Sequence, residues 1–391
     1  MDTTIHGTCD ERFAPVRAAF AEGFRSRDEI GAAVAVVRDG HAVVDLWAGH
    51  ADLARTRPWQ RDTIVNIYSC TKAMTALCAH QLVERGQLDL DAPVATYWPE
   101  FAQAEKECIP VRWLLSHRAA LPAVKEVLPP EALYDWNAMC DALAAQTPWW
   151  EPGTAHGYHA VTFGWLVGEV VRRVTGRSLG AYFRDEIARP LGLDLHIGLA
   201  DAEHHRVAQM SDIPTDQIDP DAIGLAQLIL SDPQSMAALA FVNPPSMALG
   251  PNNPEWRRAE IPGANGHGAA RDLARVYGAL ARGGTIDGVQ VLQPASIARC
   301  AAEQSHGPDL VLQINTRFGL GVMLPQERRD ARFGPSPRAF GHPGAGGSLG
   351  FADPDNKIGF GYVMNRMGPH ILLDPRAIAL IESVYDAVGT T

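Results

Sequence analysis

The chain has 391 residues, of which 46% are hydrophobic and 20% charged, with a formal net charge of -11. That is enough chain to bury a sizeable core, as one large domain or two intimate ones. The acidic balance argues against the clustered basic surface that nucleic acid or anionic lipid requires, and no run approaches the unbroken apolar length of a membrane span.

The N-terminus, Met1 to His6, has no basic region followed by an apolar run, so no secretory signal is expected. Residues 11–25 read as an amphipathic helix, with Phe13, Val16, Ala19, Phe20 and Phe24 near 3.6 spacing. The apolar run Gly31–Val37, the turn Arg38-Asp39-Gly40-His41 and the run Ala42–Gly49 predict a hairpin. After Tyr68 the period changes: Ala73, Met74, Leu77, Cys78, Leu82 and Val83 form a helical stripe that Gly86 ends. Further helices are predicted around Trp113–Leu115 and Phe163–Val171. Residues 208–262, rich in Pro, Asp and Asn, read as long loops around a short helix near 221–230, the kind of segment that walls or covers a site. Asp272–Ala281 is again helical. Gly347–Ala352 and Ile358–Met364 predict a second hairpin across the turn 353–357, and residues 376–387 a closing helix. Six scattered cysteines, with no C-x-x-C pair or zinc spacing, read as free thiols in a reducing cytoplasm, the expected location.

Neither hairpin is large enough to be a sheet of its own. One antiparallel sheet built from both chain ends and covered by the terminal helices resolves this. The expected class is therefore α+β. Residues 1–65 plus 263–391 would form the sheet domain, and 66–262 an inserted region of helix and loop. The site would lie in the cleft between them.

Three motifs carry the chemistry. Ser69-Cys70-Thr71-Lys72 is S-x-x-K. On a helix, positions i and i+3 share a face, so Lys72 can reach the Ser69 hydroxyl, and the helix N-terminus adds positive potential. Alone the pattern also describes a helix-capping serine beside a solvated lysine. The second motif runs from Trp149-Trp150-Glu151-Pro152-Gly153 to Tyr158-His159-Ala160, and the third is Gly341-His342-Pro343-Gly344-Ala345-Gly346-Gly347. In order and rough spacing the three resemble the signature elements of the serine β-lactamase and penicillin-binding-protein superfamily, closest to its β-lactamase-like (family VIII) carboxylesterases. Gly86–Val94, Val111–His117 and Gly164–Gly168 add to the likeness, which spans nearly the whole chain apart from 208–262.

The resemblance implies a β-lactamase/transpeptidase-like fold and a serine hydrolase acting through an acyl-enzyme. Ser69 would be the nucleophile, Lys72 its partner, and Tyr158 the proton shuttle, its phenol acidified by the Lys72 ammonium. The backbone N–H groups of Ser69 and Ala345 would form the oxyanion hole. His342, Gly344, Trp149 and Trp150 would contact substrate, with the small residues around Gly344 letting it lie along the strand. No cofactor and no metal are expected. The partner is a small-molecule ester, with neither nucleic acid nor membrane, and the oligomeric state is open. Where β-lactamases commonly carry Tyr-x-Asn and Lys-Thr-Gly, this chain has Ala160 and His342, so the expectation is short-chain ester cleavage. A β-lactamase, D-amino-acid peptidase or acyltransferase of the same fold is the alternative, and a non-catalytic sensor module is the alternative of another class. Gly346-Gly347-Ser348-Leu349-Gly350 spells the lipase-type G-x-S-x-G. That elbow needs a strand, a sharp turn and a helix, whereas Ser348 is expected to enter a strand.

Overall fold

A computed structural model describes residues 3–213, 232–245 and 250–389. Six strands form one antiparallel sheet: β1 (Ile5–Cys9), β2 (Gly31–Arg38), β3 (His41–Gly49), β4 (Phe340–Pro343), β5 (Leu349–Asp353) and β6 (Ile358–Met364). Their order across the sheet is β1-β3-β2-β6-β5-β4, so the two hairpins meet where β2 pairs with β6, with Val36 opposite Phe360 and Val34 opposite Tyr362. β2 is apolar at nearly every position because it is central and covered on both faces. β3 alternates instead: Val44, Leu46 and Ala48 are buried, while Val43, Asp45 and Trp47 are half-exposed. β1 has no alternating pattern and was not expected. It adds to the sheet through register with β3, an edge position that demands little of its side chains.

Helices cover both faces. Helix α1 (Ala14–Ser26) packs against the C-terminal helix on one side. The helix Ala270–Ala281 crosses β2, β5 and β6 on the other. The latter can lie close because Gly359 and Gly361 face it: a Cβ on Gly359 would sit 2.0 Å from the Gly278 nitrogen.

Helix α2 (Thr71–Glu84) follows the Ser69 turn, and α3 (Thr162–Thr175) packs on it. The expected apolar stripe of α2 understates its burial, which extends almost all the way round. Its polar side chains reach distant loops: Thr75 donates to the Pro262 carbonyl at 2.8 Å, Gln81 to the Val291 carbonyl at 3.1 Å, and the His80 Nε2–H to the Leu320 carbonyl at 3.0 Å. We name the helix Ala270–Ala281 α4 and the C-terminal helix, Pro375–Val388, α5. Within 208–262 the described residues include two short helices, Met236–Val242 and Pro254–Arg258. The helix expected near 221–230 lies outside the described residues. All six cysteines are free.

Candidate active site

Ser69 sits in a single 3-10 turn, Tyr68–Cys70, that runs straight into α2. Tyr68 takes a left-handed conformation (φ 46°), costly for an aromatic residue, and the turn is held from outside. Thr71 donates its hydroxyl to the Tyr68 carbonyl at 2.5 Å and accepts the Gly266 N–H at 2.8 Å.

Lys72, fully buried, puts Nζ 3.1 Å from Ser69 Oγ, 2.6 Å from the Ala160 carbonyl and 2.7 Å from the Gly263 carbonyl. Burial holds its ammonium well below the ordinary lysine range, and no carboxylate opposes that. A neutral amine has two N–H bonds and one lone pair. The two carbonyls can only accept, so they take both N–H bonds, and the lone pair is left facing Ser69 Oγ. In that neutral form the Ser69 hydroxyl donates toward Lys72, whereas as an ammonium Lys72 Nζ donates to Ser69 Oγ.

Tyr158 lies in an irregular segment across the pocket, its ring centroid 4.7 Å from Lys72 Nζ. Burial raises its phenol above the usual range, and the hydrogen bond with Ser69 only partly offsets this. The expectation of a phenol acidified by Lys72 is therefore corrected. With both groups out of water, each is favoured in its neutral form.

The segment carrying Tyr158 is pinned by groups that sequence reasoning passed over. Asp309 Oδ1 accepts the N–H groups of Tyr158 (3.0 Å), Val311 (2.9 Å) and Leu312 (2.9 Å). Asp309 Oδ2 accepts the Thr316 hydroxyl at 3.0 Å, and Thr316 in turn bonds His156 Nε2 at 2.8 Å. The next residue, His159, donates its N–H to His117 Nδ1 at 3.1 Å, while its own ring bridges the Gly157 carbonyl (2.7 Å) and the Leu121 N–H (3.1 Å). No local pattern marks Asp309, which reads as an ordinary turn aspartate.

His342, next to last in β4, lines the pocket. Pocket walls come from Ser69, Tyr158, His342, Pro343 and Ala345, together with the apolar Phe241, Leu312, Met323 and Ile371. The pocket volume is ≈ 30 Å³. Among the described residues neither the Ser69 nor the Ala345 N–H donates to a backbone acceptor. The loop carrying Ala345 is held from behind: Arg376 Nη2 and the Gly368 N–H each reach the Gly346 carbonyl at 2.9 Å. Arg376 belongs to a buried cluster with Asp374 (2.8 Å), Glu29 (3.2 Å) and, through Glu29, Tyr362.

The structure also places Gly344, Trp149, Trp150 and Ser348. At Gly344 a Cβ would stand 2.4 Å from the Ile67 carbonyl, just before the Ser69 turn, so the glycine is needed for the close approach of these two segments. Trp149 and Trp150 do not line the pocket. Trp149 donates Nε1–H to the Ala123 carbonyl at 2.7 Å, and Trp150 meets the His159 ring edge-on, 6.5 Å between centroids. Ser348 is buried off the pocket and leads directly into β5, so its context is not that of a nucleophile elbow.

The β-lactamase family model matches residues 16–383. The chain belongs to the β-lactamase family. Among curated members, the esterase/β-lactamase LipL of Mycobacterium tuberculosis is 37% identical over 374 residues, 95% of this chain and 85% of LipL. A solved family VIII carboxylesterase is 43% identical with a TM-score of 0.90, covering 98% of this chain and all of that one. A penicillin-binding-protein homologue from Caulobacter crescentus is likewise 43% identical, with a TM-score of 0.89 over 98% of this chain and all of its own. This β-lactamase-family chain has the β-lactamase/transpeptidase-like α+β fold and is a serine hydrolase. No helix among the described residues is long and apolar enough to cross a membrane.

Proposed function

We propose that this enzyme is a carboxylesterase that cleaves short-chain acyl esters through an acyl-enzyme on Ser69. One observation carries the proposal: Lys72 Nζ is tied to two carbonyls and keeps its remaining position for Ser69 Oγ at 3.1 Å. Lys72 takes the serine proton as Oγ attacks the ester carbonyl. The carbonyl oxygen, becoming an anion, is received by the N–H groups of Ser69 and Ala345. The neutral Tyr158 phenol hands its proton to the departing alkoxide and recovers the one Lys72 took from Ser69. Water then enters the pocket and the same groups run in reverse to release the acid. Ala160 supports Lys72 through its carbonyl and offers no side-chain amide.

The family VIII carboxylesterase structure and the esterase name of the mycobacterial relative support the ester substrate. That relative's name also includes β-lactamase, which makes β-lactam cleavage the second activity to assay. Intact-mass spectrometry after a fluorophosphonate probe tests the proposal. One adduct, mapped to the peptide containing Ser69 and missing in Ser69→Ala, is expected. Ser348→Ala should keep both the label and most of the p-nitrophenyl butyrate turnover, and a dead Ser348→Ala variant would overturn the assignment.

A further inference from the structure

Among the described residues, His342 is the one polar side chain on the pocket to which the proposed reaction gives no task. It is 2% exposed and lines the same space as Ser69 and Tyr158. Its Nδ1–H donates to the Pro343 carbonyl at 2.7 Å. Burial pushes the imidazole down to about 3, so the ring is neutral and its single N–H is already used. Nε2 therefore carries a bare lone pair, and it has no hydrogen-bond partner among the described residues. The side chains of Phe241, Leu312, Met323 and Ile371 on the same pocket have no N–H or O–H to offer. Buried acceptors are seldom left unpaired in proteins, and one facing a reaction pocket can be completed by what enters it.

We infer that His342 Nε2 accepts a hydrogen bond from the substrate, and that the enzyme selects esters bearing a neutral donor, a hydroxyl or an amide N–H, close to the scissile bond. The inference rests on the Ser69-centred esterase proposed above. A hydroxyl has a proton for the lone pair, a methyl of the same size leaves it desolvated, and a carboxylate sets negative charge against it. The donor can belong to the alcohol half of the ester or to the acyl half. The chemistry at Nε2 is the same in both cases.

Two matched pairs separate these sources: 2-hydroxyethyl butanoate against propyl butanoate for the alcohol side, and ethyl 3-hydroxybutanoate against ethyl 3-methylbutanoate for the acyl side. Within each pair a hydroxyl replaces a methyl. For the wild-type enzyme, kcat/KM should favour the hydroxyl ester by roughly ten- to a hundredfold in one pair, the scale of satisfying a buried acceptor. His342→Phe, a ring without nitrogen, should bring that ratio near one, and His342→Gln, which restores an acceptor oxygen, should recover part of it. Ratios near one in both pairs for the wild type would overturn the inference, whatever the variants do. So would a ratio unchanged in folded His342→Phe. Failure to hydrolyse any of the four esters would instead count against the esterase proposal itself.

Discussion

Asp309 offers the sharpest test of how the Tyr158 segment is held. Replacing it with alanine orphans the buried N–H groups of Tyr158, Val311 and Leu312 and removes the acceptor for the Thr316 hydroxyl. At about 1–3 kcal/mol for each unsatisfied buried group, three N–H donors amount to a loss of about 3 kcal/mol or more. Burial raises the Asp309 carboxyl, so losing the charge returns some of this; the orphaned donors outnumber that single gain. Asp309→Asn keeps an acceptor oxygen for the three N–H groups and spoils only the Thr316 side, so it should be markedly milder. Leu312 lines the pocket and Tyr158 faces Ser69, so the damage should reach turnover. Urea unfolding measures the first effect, and kcat and KM on p-nitrophenyl butyrate measure the second. The expected order in both is wild type, then Asn, then Ala, with kcat falling more than KM rises. An alanine variant within 1 kcal/mol of wild type and with undiminished kcat would refute the claim that Asp309 positions Tyr158.

Lys72→Met and Tyr158→Phe should each lower kcat by more than about a hundredfold, the scale of losing a general base or acid, and near-full activity in either would remove that residue from the mechanism. Stability should fall with acid. His159, His267 and His342 are pushed by burial from 6.5 down to about 3, so below pH 6.5 the unfolded chain binds protons that the folded chain refuses. Each contributes a loss of up to about 1.4 kcal/mol per pH unit in that window. Asp272, raised to about 6, works the other way between 3.8 and 6, as do Glu29 and Asp309, which burial also raises; His80, His117 and His156, lowered by burial, add to the three imidazoles, so the histidines outnumber the carboxyls. Calorimetry should show Tm declining from pH 6.5 toward 4, and a flat Tm would contradict the sign. Nitrocefin and penicillin should be cleaved far more slowly than short esters, because neutral His342 offers their carboxylate no cation and Ala160 offers their amide no partner. At about 1–3 kcal/mol per missing partner, two losses make roughly two to four powers of ten in kcat/KM. Comparable constants on one preparation would promote the β-lactamase activity.

By itself the sequence determined the hairpins, the principal helices and the α+β class, because those follow from short-range periodicity and from the need of two undersized hairpins to share one sheet. It also determined that Ser69 and Lys72 meet, since three residues along a helical turn is a local distance. The edge strand β1 was not legible, because its place comes from pairing with β3 and not from its own pattern. What surrounds Lys72 was decided only by the tertiary structure. Its two carbonyl partners lie 88 and 191 positions along the chain, and the burial that favours its neutral amine is a property of the assembled fold. The same holds for the neutral phenol of Tyr158, for Asp309 beneath it, and for the displacement of Trp149 and Trp150 from the pocket. A side chain's type is written locally, whereas its solvation and its partners are set by segments that meet only when the chain closes, and protonation follows solvation.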